Sequence, residues 1–193
     1  MCEYISVCGV DEAGRGSLAG EVYCAAVILP ASLIIPGLND SKKLTPKKRT
    51  ALAAQIKEQA IAWSIATATM DEITEYNILH ATLRAMARAV EGLSIRPERV
   101  LVDGNKAPQL SMPVETIIKG DLLVPAISAA SILAKVARDK TMVELHSEYP
   151  LYGFDRHKGY LTKAHLEALT TYGPCPEHRV TFSPVSKMLA ARR

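Results

Sequence analysis

The sequence is poor in several features, and each shortage excludes a class of protein. It has only 4 cysteines in 193 residues, and no two of them form the C-x-x-C pair that serves zinc binding or redox chemistry. No apolar run approaches the roughly 20 residues that span a bilayer. The N-terminus also lacks a basic start followed by a long apolar stretch. We therefore expect a cytoplasmic protein in a reducing compartment, neither secreted nor inserted into a membrane.

A strong excess of charge is also missing. The 23 lysines and arginines against 20 acidic residues give a net charge of +3 and a pI near 8.6, below the value of about 9 typical of many nucleic-acid-binding domains. The 48% hydrophobic and 22% charged residues match a globular protein and exclude a disordered one. We expect a single domain over residues 1–193, with residues from about 150 onward forming a helical and loop extension.

Hydrophobic periodicity predicts an α/β fold. It indicates strands at residues 5–10, 21–29, 63–69, 99–102 and 114–118, and helices at residues 45–62, 71–91, 125–148 and 162–171. This order predicts a five-stranded mixed sheet flanked by helices. On the longest helix a polar and basic face is predicted for Ser128, Ser131, Lys135 and Arg138.

Two adjacent acids stand at the end of the first predicted strand. Asp11 and Glu12 are followed by the turn Gly14-Arg15-Gly16. Adjacent side chains on a regular strand point to opposite faces, so the two acids converge only if the strand ends or distorts there. The glycines let backbone N–H groups approach a ligand closely, and Arg15 suits a phosphate or the neighbouring acids. An ordinary turn with a solvated acid pair is the alternative.

Two further acids each follow an apolar run. Asp103 and Asp121 are both next to a glycine, so either could be a simple turn former. If the strands beginning near residues 5, 99 and 114 are neighbours, their ends bring all four acids together. Carboxylates without cysteine or clustered histidine favour Mg²⁺ or Mn²⁺ over zinc. Two such ions are the usual apparatus for in-line displacement at phosphorus.

Two other segments carry basic side chains in patterns that suit a nucleic acid. Residues 40–49 combine five basic residues, among them Lys42 and Lys43, with hydroxyls at a helix start. Residues 152–160 interleave aromatic and basic side chains, as a surface that stacks on sugars or bases requires. A solvated charged face and a packed loop are the respective alternatives.

The combined motifs resemble ribonuclease HII, the bacterial type 2 ribonuclease H, from residue 9 to about residue 185. The resemblance rests on GVDEAGRGSLAGEV at 9–22, DSKKL at 40–44, DGN at 103–105, KGD at 119–121, ISAASILAKVARD at 127–139 and YGFDRHKGY at 152–160. It implies a ribonuclease H-like fold whose first three strands are antiparallel, followed by a C-terminal helical portion.

The resemblance also implies roles for individual residues. The family's metal-binding and catalytic carboxylates, which hold two Mg²⁺ or Mn²⁺ ions, match Asp11, Glu12, Asp103 and Asp121. The family's sensor of the ribose 2′-OH matches Gly14, Arg15 and Gly16, and the tyrosine that stacks on the next deoxyribose matches Tyr160. Positions near the substrate backbone are Lys42, Lys43, Ser131 and Lys135.

The implied enzyme is a ribonuclease H, an endoribonuclease that produces 5′-phosphomonoesters. It cuts the RNA strand of RNA–DNA hybrids and incises 5′ of single ribonucleotides in duplex DNA, as ribonucleotide excision repair requires, leaving 3′-OH and 5′-phosphate ends. We expect a monomer that binds these nucleic acids and no membrane. Two alternatives remain: a non-catalytic nucleic-acid-binding module and a DNA-branch nuclease on the same fold. Metal-dependent cleavage tests the first, and a branched all-DNA substrate tests the second.

Overall fold

The computed structural model describes residues 6–38 and 44–191. Its strands are β1 (Val7–Ala13), β2 (Val22–Ile28), β3 (Ala62–Ala68), β4 (Arg99–Asp103) and β5 (Val114–Ile117). Its α-helices are α1 (Pro46–Gln59), α2 (Met70–Glu91), α3 (Gly120–Leu123), α4 (Pro125–Glu148), α5 (Phe154–His157), α6 (Lys163–Tyr172) and α7 (Val185–Ala190). The five strands and the four long helices predicted from periodicity are therefore confirmed.

The strands form one mixed sheet in the order β3-β2-β1-β4-β5. The first three strands pair antiparallel, whereas β4 and β5 join β1 in parallel. This arrangement confirms the predicted ribonuclease H-like sheet, with β1 at its centre. The carboxyl ends of β1, β4 and β5 consequently lie at the same edge of the sheet.

Helices cover both faces of the sheet. Because side chains alternate along a strand, Ala25 and Val27 face the cluster formed by α1 and α4. Their neighbours Cys24 and Ala26 face the cluster formed with α2. The β-sheet is thus the middle layer of three, and its central strand is buried on both sides.

Helix α4 packs so closely against β1 at Gly9 that no side chain would fit between the two backbones. A Cβ atom on Gly9 would lie only 2.2 Å from the backbone carbon of Ala126, so a glycine is needed at this point of the strand. The contact places α4 directly over the strand that carries Asp11 and Glu12. It is the contact that sets the distance between these acids and the polar side chains of α4.

The extension from about residue 150 packs on the turn after β1 and on the second half of α4. Its apolar cluster includes Leu18, Met142, Phe154, Leu169 and Val185. The backbone of the turn is also fixed directly, since the Leu18 amide donates to the Gly159 carbonyl at 2.8 Å. The predicted C-terminal extension therefore supports the segment that follows the paired acids.

Three differences separate the structure from the sequence prediction. Strand β1 runs in regular register as far as Ala13, which pairs with Tyr23, instead of ending at residue 10. Three short helices, α3, α5 and α7, were not predicted, because four to six residues are too few to display helical periodicity. The predicted polar face of α4 is largely buried, and Arg138 has no exposed surface.

No helix in the described residues is long and apolar enough to cross a membrane.

Candidate active site

The central pair of acids is positioned by the parallel register of β1 and β4. Val10 pairs with Val102, so Asp11 and Asp103 are the next residues on strands about 4.8 Å apart and point to the same face. Both carboxylates therefore start from adjacent positions at the carboxyl edge of the sheet. The sequence prediction that strand ends bring Asp11 and Asp103 together is confirmed.

The Asp11 side chain is buried and lies in a concentration of negative charge. Its exposed fraction is 6%. Burial raises the pKa of Asp11 well above its ordinary value, and the charges of Glu12 and Asp103 raise it further. A hydrogen bond to the Ser131 side chain and one from the Glu12 amide act in the opposite direction. The site thus disfavours a negative charge on Asp11 unless a cation is present.

The Glu12 carboxylate reaches the same region from the other face of β1. The strand does not distort at this residue, contrary to the expectation from sequence, since Glu12 pairs regularly with Cys24. Strand β4 pairs with β1 only as far as Val10, and this leaves the last part of β1 with an open edge. The Glu12 carboxylate there accepts a hydrogen bond from the Arg15 guanidinium at 3.0 Å.

Asp121 is brought to Asp103 by the short helix α3. Lys119 adopts a left-handed conformation with φ of 58° and turns the chain into the helix. The Asp121 amide then donates to the Asp103 carboxylate at 3.3 Å. The Asp121 side chain is buried, with 7% of its surface exposed. The structure therefore places Glu12 and Asp103 close enough to Asp11 to raise its pKa, and it joins the Asp121 backbone to the Asp103 carboxylate.

The acids suit a hard divalent cation by chemistry. Their donors are carboxylate oxygens, which Mg²⁺ and Mn²⁺ prefer, and the raised pKa of Asp11 marks a local need for positive charge. Among residues 6–38 and 44–191, no three His, Cys, Asp or Glu side chains form a ready-made metal cluster. Glu12 forms an ion pair with Arg15 through one of its carboxylate oxygens.

A groove of about 1060 Å³ begins at these acids. Seven of the predicted site residues line it, namely Glu12, Gly14, Arg15, Gly16, Ser131, Lys135 and Tyr160. The groove lining does not include Asp11, Asp103 or Asp121, but Glu12 and Ser131 both contact Asp11. The predicted substrate-binding residues that the structure describes therefore share one surface depression, which meets the acids at Glu12.

The Tyr160 ring lies between two cationic side chains at the wall of the groove. Lys135 Nζ is 5.5 Å from the ring centroid, and the Arg138 guanidinium carbon is 5.4 Å from it. Lys135 also donates to Asp139 at 2.6 Å, and burial lowers the pKa of its ammonium. Tyr160 and Lys135 are thus neighbours at the groove. Lys42 and Lys43 lie outside the described residues.

Sequence reasoning missed the residues that support this groove from below. Arg179 is buried and bonds to the backbone of the turn after β1, whereas His165 and His178 connect to the Tyr160 backbone. All three belong to the extension, which periodicity described only as a helix and a tail. The available signal was the dipeptide His178-Arg179, which places two polar residues in a tail punctuated by proline.

These features define a class of protein. A five-stranded mixed sheet has acids at the carboxyl ends of its central parallel strands, and a groove with basic residues continues from them. This is the architecture of a ribonuclease H-like nuclease. The crystal structure of the ribonuclease H2 from Pyrococcus horikoshii OT3 is similar to the chain with a TM-score of 0.82 and 27% identity, covering 96% of this chain and 98% of that chain.

The chain belongs to the ribonuclease HII family, since the family model for Ribonuclease HII matches residues 8–185. Ribonuclease HII of Bordetella avium (strain 197N) is 63% identical over 179 residues, or 93% of this chain and 89% of that protein. Ribonuclease HII of Neisseria meningitidis serogroup C (strain 053442) is 58% identical over 188 residues, or 97% of each protein. The chain is accordingly an endoribonuclease of the ribonuclease H type.

Proposed function

We propose that the protein hydrolyses the RNA strand of RNA–DNA hybrids and incises 5′ of single ribonucleotides embedded in duplex DNA. The products carry 3′-OH and 5′-phosphate ends. Such incision would begin the excision of ribonucleotides from DNA. We further propose that two divalent cations, Mg²⁺ or Mn²⁺, are bound by Asp11, Glu12, Asp103 and Asp121.

One observation carries the proposal: Glu12, which neighbours Asp11 at the edge of the sheet, lines a groove that also contains the Gly14-Arg15-Gly16 turn and Tyr160. A nuclease that selects ribonucleotides needs a charged centre for the phosphate and a nearby sensor of the ribose 2′-OH. The groove combines residues suited to both tasks. Lys135 and the aromatic ring of Tyr160 supply a phosphate contact and a sugar-stacking surface.

The residues of the chain have separable tasks in this proposal. The acids would hold the cations, which when bound supply charge neutralisation at the scissile phosphate and lower the pKa of the attacking water. Ser131 orients the Asp11 carboxylate through its hydrogen bond. Arg15 holds Glu12 by an ion pair until the cations and substrate are present. No side chain is required as a covalent nucleophile.

The direct experiment uses three substrates with Mg²⁺ or Mn²⁺. These are a DNA duplex containing one ribonucleotide, a long RNA–DNA hybrid and a branched all-DNA junction. We expect cleavage of the first two, with the cut on the 5′ side of the single ribonucleotide, and no cleavage of the junction. Intact ribonucleotide-containing duplex in both metals rejects the proposal, and preferred cleavage of the junction supports the branch nuclease instead.

Substitution of one acid tests the proposed centre. Asp103→Asn preserves the size of the side chain but removes its charge, and we expect the rate to fall more than ~100-fold. The matched control is Glu115→Gln on the neighbouring strand, whose carboxylate is exposed and pairs with Arg99 at 2.6 Å. Near-normal rates for Asp103→Asn would show that this carboxylate does not serve the reaction.

We also propose that the enzyme acts as a monomer in the cytoplasm. Cys8 and Cys24 are free and buried, which suits a reducing compartment. Light scattering of the purified protein at micromolar concentration tests whether the enzyme is a monomer. A molar mass near 20.9 kDa is expected, and twice that value would indicate a dimer.

A further inference from the structure

Two arginine side chains are buried beneath the turn that follows β1. Arg138 on α4 and Arg179 in the extension have exposed fractions of 0% and 1%. Arg138 bonds the later part of the turn, through the Ser17 hydroxyl at 2.7 Å and the Ala19 carbonyl at 2.9 Å. Arg179 bonds both ends of the turn, including its first part, which borders the groove.

The Arg179 guanidinium uses all of its donor nitrogens on backbone carbonyls of this turn. Nη2 donates to Gly14 O at 2.8 Å and Nη1 donates to Arg15 O at 2.9 Å. Further bonds join Nη1 to Ser17 O at 2.8 Å, and join Nε and Nη2 to Gly20 O at 3.0 and 2.7 Å. A single side chain therefore determines the direction of four carbonyl groups.

The charge of Arg179 is not offset by an acid. In the described part of the chain, neither Arg179 nor Arg138 forms an ion pair with a carboxylate, and their partners are neutral oxygens. Burial, and then the neighbouring Arg138 charge, lower the pKa of Arg179 to about 9, so the guanidinium remains protonated at neutral pH. A buried cation without an anion is costly, which points to a role beyond stability.

Peptide geometry shows what this arrangement does to the N–H groups. In a trans peptide the C=O of one residue and the N–H of the next point in opposite directions. The Gly14 and Arg15 carbonyls point inward to Arg179, so the amides of Arg15 and Gly16 point outward. Both residues are exposed and line the groove. Neither amide has a hydrogen-bond partner within residues 6–38 and 44–191.

The peptide between Ser17 and Leu18 serves as an internal check on this geometry. The Ser17 carbonyl also points to Arg179, and the amide of the following residue, Leu18, donates to Gly159 O at 2.8 Å. That amide is therefore used within the protein. The intervening Ser17 amide donates to Gly14 O at 3.3 Å. The Arg15 and Gly16 amides remain directed at the groove, where consecutive N–H groups form a concave donor pair for an oxygen ligand.

We propose that Arg179 is a positioning residue for substrate recognition, because it turns the Arg15 and Gly16 amides toward the ribose 2′-oxygen. This inference rests on the proposed function, in which the turn senses the 2′-OH. Arg179 itself does not touch the substrate. It acts through the four carbonyls that it binds. Gly14 O also accepts hydrogen bonds from the Ser17 amide and hydroxyl, so removal of Arg179 chiefly releases the Arg15 carbonyl, without removing any group that lines the groove.

The test compares the affinities of two duplexes that differ only in one 2′-OH. Binding is measured in Ca²⁺ without Mg²⁺ or Mn²⁺, and gels verify that the ribonucleotide-containing strand stays intact. The ratio of the all-DNA Kd to the ribonucleotide Kd reports recognition of the 2′-oxygen, because phosphate contacts are common to both duplexes. For Arg179→Lys, which keeps the charge but offers three donors instead of five, we expect this ratio to fall about tenfold toward one.

The matched control is Val185→Ala, which removes buried apolar volume from the same extension without removing a hydrogen bond to the turn. We expect it to lower the free energy of unfolding but to leave the affinity ratio unchanged. A wild-type ratio for Arg179→Lys, or parallel weakening on both duplexes, overturns the role of Arg179. A ratio of one for the wild-type protein overturns 2′-OH recognition itself, and the inference with it.

Hydrogen exchange on the wild-type protein tests the geometry without any variant. We expect the Arg15 and Gly16 amides to exchange quickly in the free protein and to be slower in the ribonucleotide complex than in the all-DNA complex. The Leu18 amide, already bonded to Gly159, should exchange slowly in every state. Slow exchange of the first two amides in the free protein, or equal protection by both duplexes, contradicts the inference.

Discussion

The sequence predicted the helix that carries Arg138 correctly, but it placed this residue on a polar and basic face, whereas its side chain is buried. Its spacing from Lys135 predicts a shared basic face. In the structure Lys135 lines the groove, whereas Arg138 is covered by the extension and bonds the Lys158 carbonyl at 2.8 Å. Periodicity shows which residues share a face of a helix. It does not show which distant segment covers that face.

At the residue scale, the position of Tyr160 leads to a substrate-specific prediction. Its ring lies at the groove between Lys135 and Arg138, where it could stack on the deoxyribose after a ribonucleotide. For Tyr160→Ala we expect kcat/KM on a single embedded ribonucleotide to fall about tenfold. A smaller loss is expected on a long hybrid, in which every residue of the cut strand carries a 2′-OH and the enzyme can choose its register.

The control for this prediction is Tyr172→Ala. Tyr172 is exposed at the end of α6, outside the groove, and both substrates should be cut at wild-type rates by this variant. The measurement is kcat/KM on the two substrates for all three proteins. Equal losses for Tyr160→Ala on both substrates would remove its proposed role at the junction between ribonucleotide and deoxyribonucleotide.

At the scale of elements, the contact of β1 with α4 determines the geometry of the site. The strand carries Asp11, and the helix carries Ser131, which hydrogen-bonds that carboxylate. The two elements can approach only because Gly9 has no side chain. Packing at one glycine therefore sets the distance between catalytic candidates that are 120 positions apart in the numbering.

Gly9→Ala is the variant that tests this packing. The added Cβ meets helix backbone at 2.2 Å, and backbone cannot move aside as the end of a flexible side chain can. We expect the free energy of unfolding to fall by about 1–3 kcal/mol, as measured by urea denaturation. Gly16→Ala is the control for stability, since no atom lies within 4 Å of its added Cβ. Equal midpoints for the two variants would contradict the close approach.

The strands and helices show how much of the fold the sequence predicts and which elements it does not predict. Strong alternation and helical spacing predicted the five strands and the four long helices within a few residues. The predicted strand β1 ended too early, at residue 10. Hydrophobicity was the signal used to identify the strand, and the polar residues Asp11 and Glu12 interrupt that signal. The short helix α3, which brings Asp121 to Asp103, depends on a left-handed lysine that no periodic pattern records.

For the whole molecule, the extension that supports the groove is itself held together by a chain of hydrogen bonds through His165 and His178. The Cys175 amide donates to His178 Nδ1 at 3.0 Å, so the proton of His178 is on Nε2. That Nε2 donates to Nε2 of His165 at 3.0 Å, and Nδ1 of His165 donates to the Tyr160 carbonyl at 3.0 Å. Each ring needs to be neutral for this sequence of bonds to form.

The histidine chain predicts that acid weakens the fold. Burial, more than any other cause, lowers the pKa of both His165 and His178 to about 4. In the unfolded chain these two histidine rings become protonated near pH 6.5. In the folded state they stay neutral until the pH falls to about 4. The stability these rings contribute is therefore complete above pH 6.5 and is lost as the pH falls toward 4. Between pH 7.5 and 5 we expect the free energy of unfolding to fall by up to about 4 kcal/mol, or about 2 kcal/mol for each ring.

Urea denaturation at these two pH values is the measurement. His165→Gln removes one titrating ring and should make the difference between pH 7.5 and pH 5 smaller than in the wild-type protein. His80→Gln is the control, because His80 is exposed on α2, and its pH dependence should match the wild type. An identical pH dependence for His165→Gln and the wild-type protein would mean that the histidine chain is not the source of acid sensitivity.

The site as a whole was predicted from sequence only in part. The acids and the glycine turn stand in recognisable motifs, so their convergence could be expected once strand order was assumed. Arg179 could not be expected, because its partners are backbone carbonyls 159 to 165 positions earlier, and a carbonyl leaves no trace in the residue type. Support from the extension is therefore visible only in three dimensions.

The central claim is that the carboxylates of the four acids, Asp11, Glu12, Asp103 and Asp121, jointly bind divalent cations. Electron paramagnetic resonance of Mn²⁺ tests it most directly. Free Mn²⁺ is titrated with the wild-type protein, with the double variant Asp11→Asn and Asp103→Asn, and with the control Glu115→Gln. We predict that the wild-type and control proteins bind Mn²⁺ with equal affinity, and that the double variant binds it at least ~10-fold more weakly. Equal Mn²⁺ affinity in all three proteins would contradict the account.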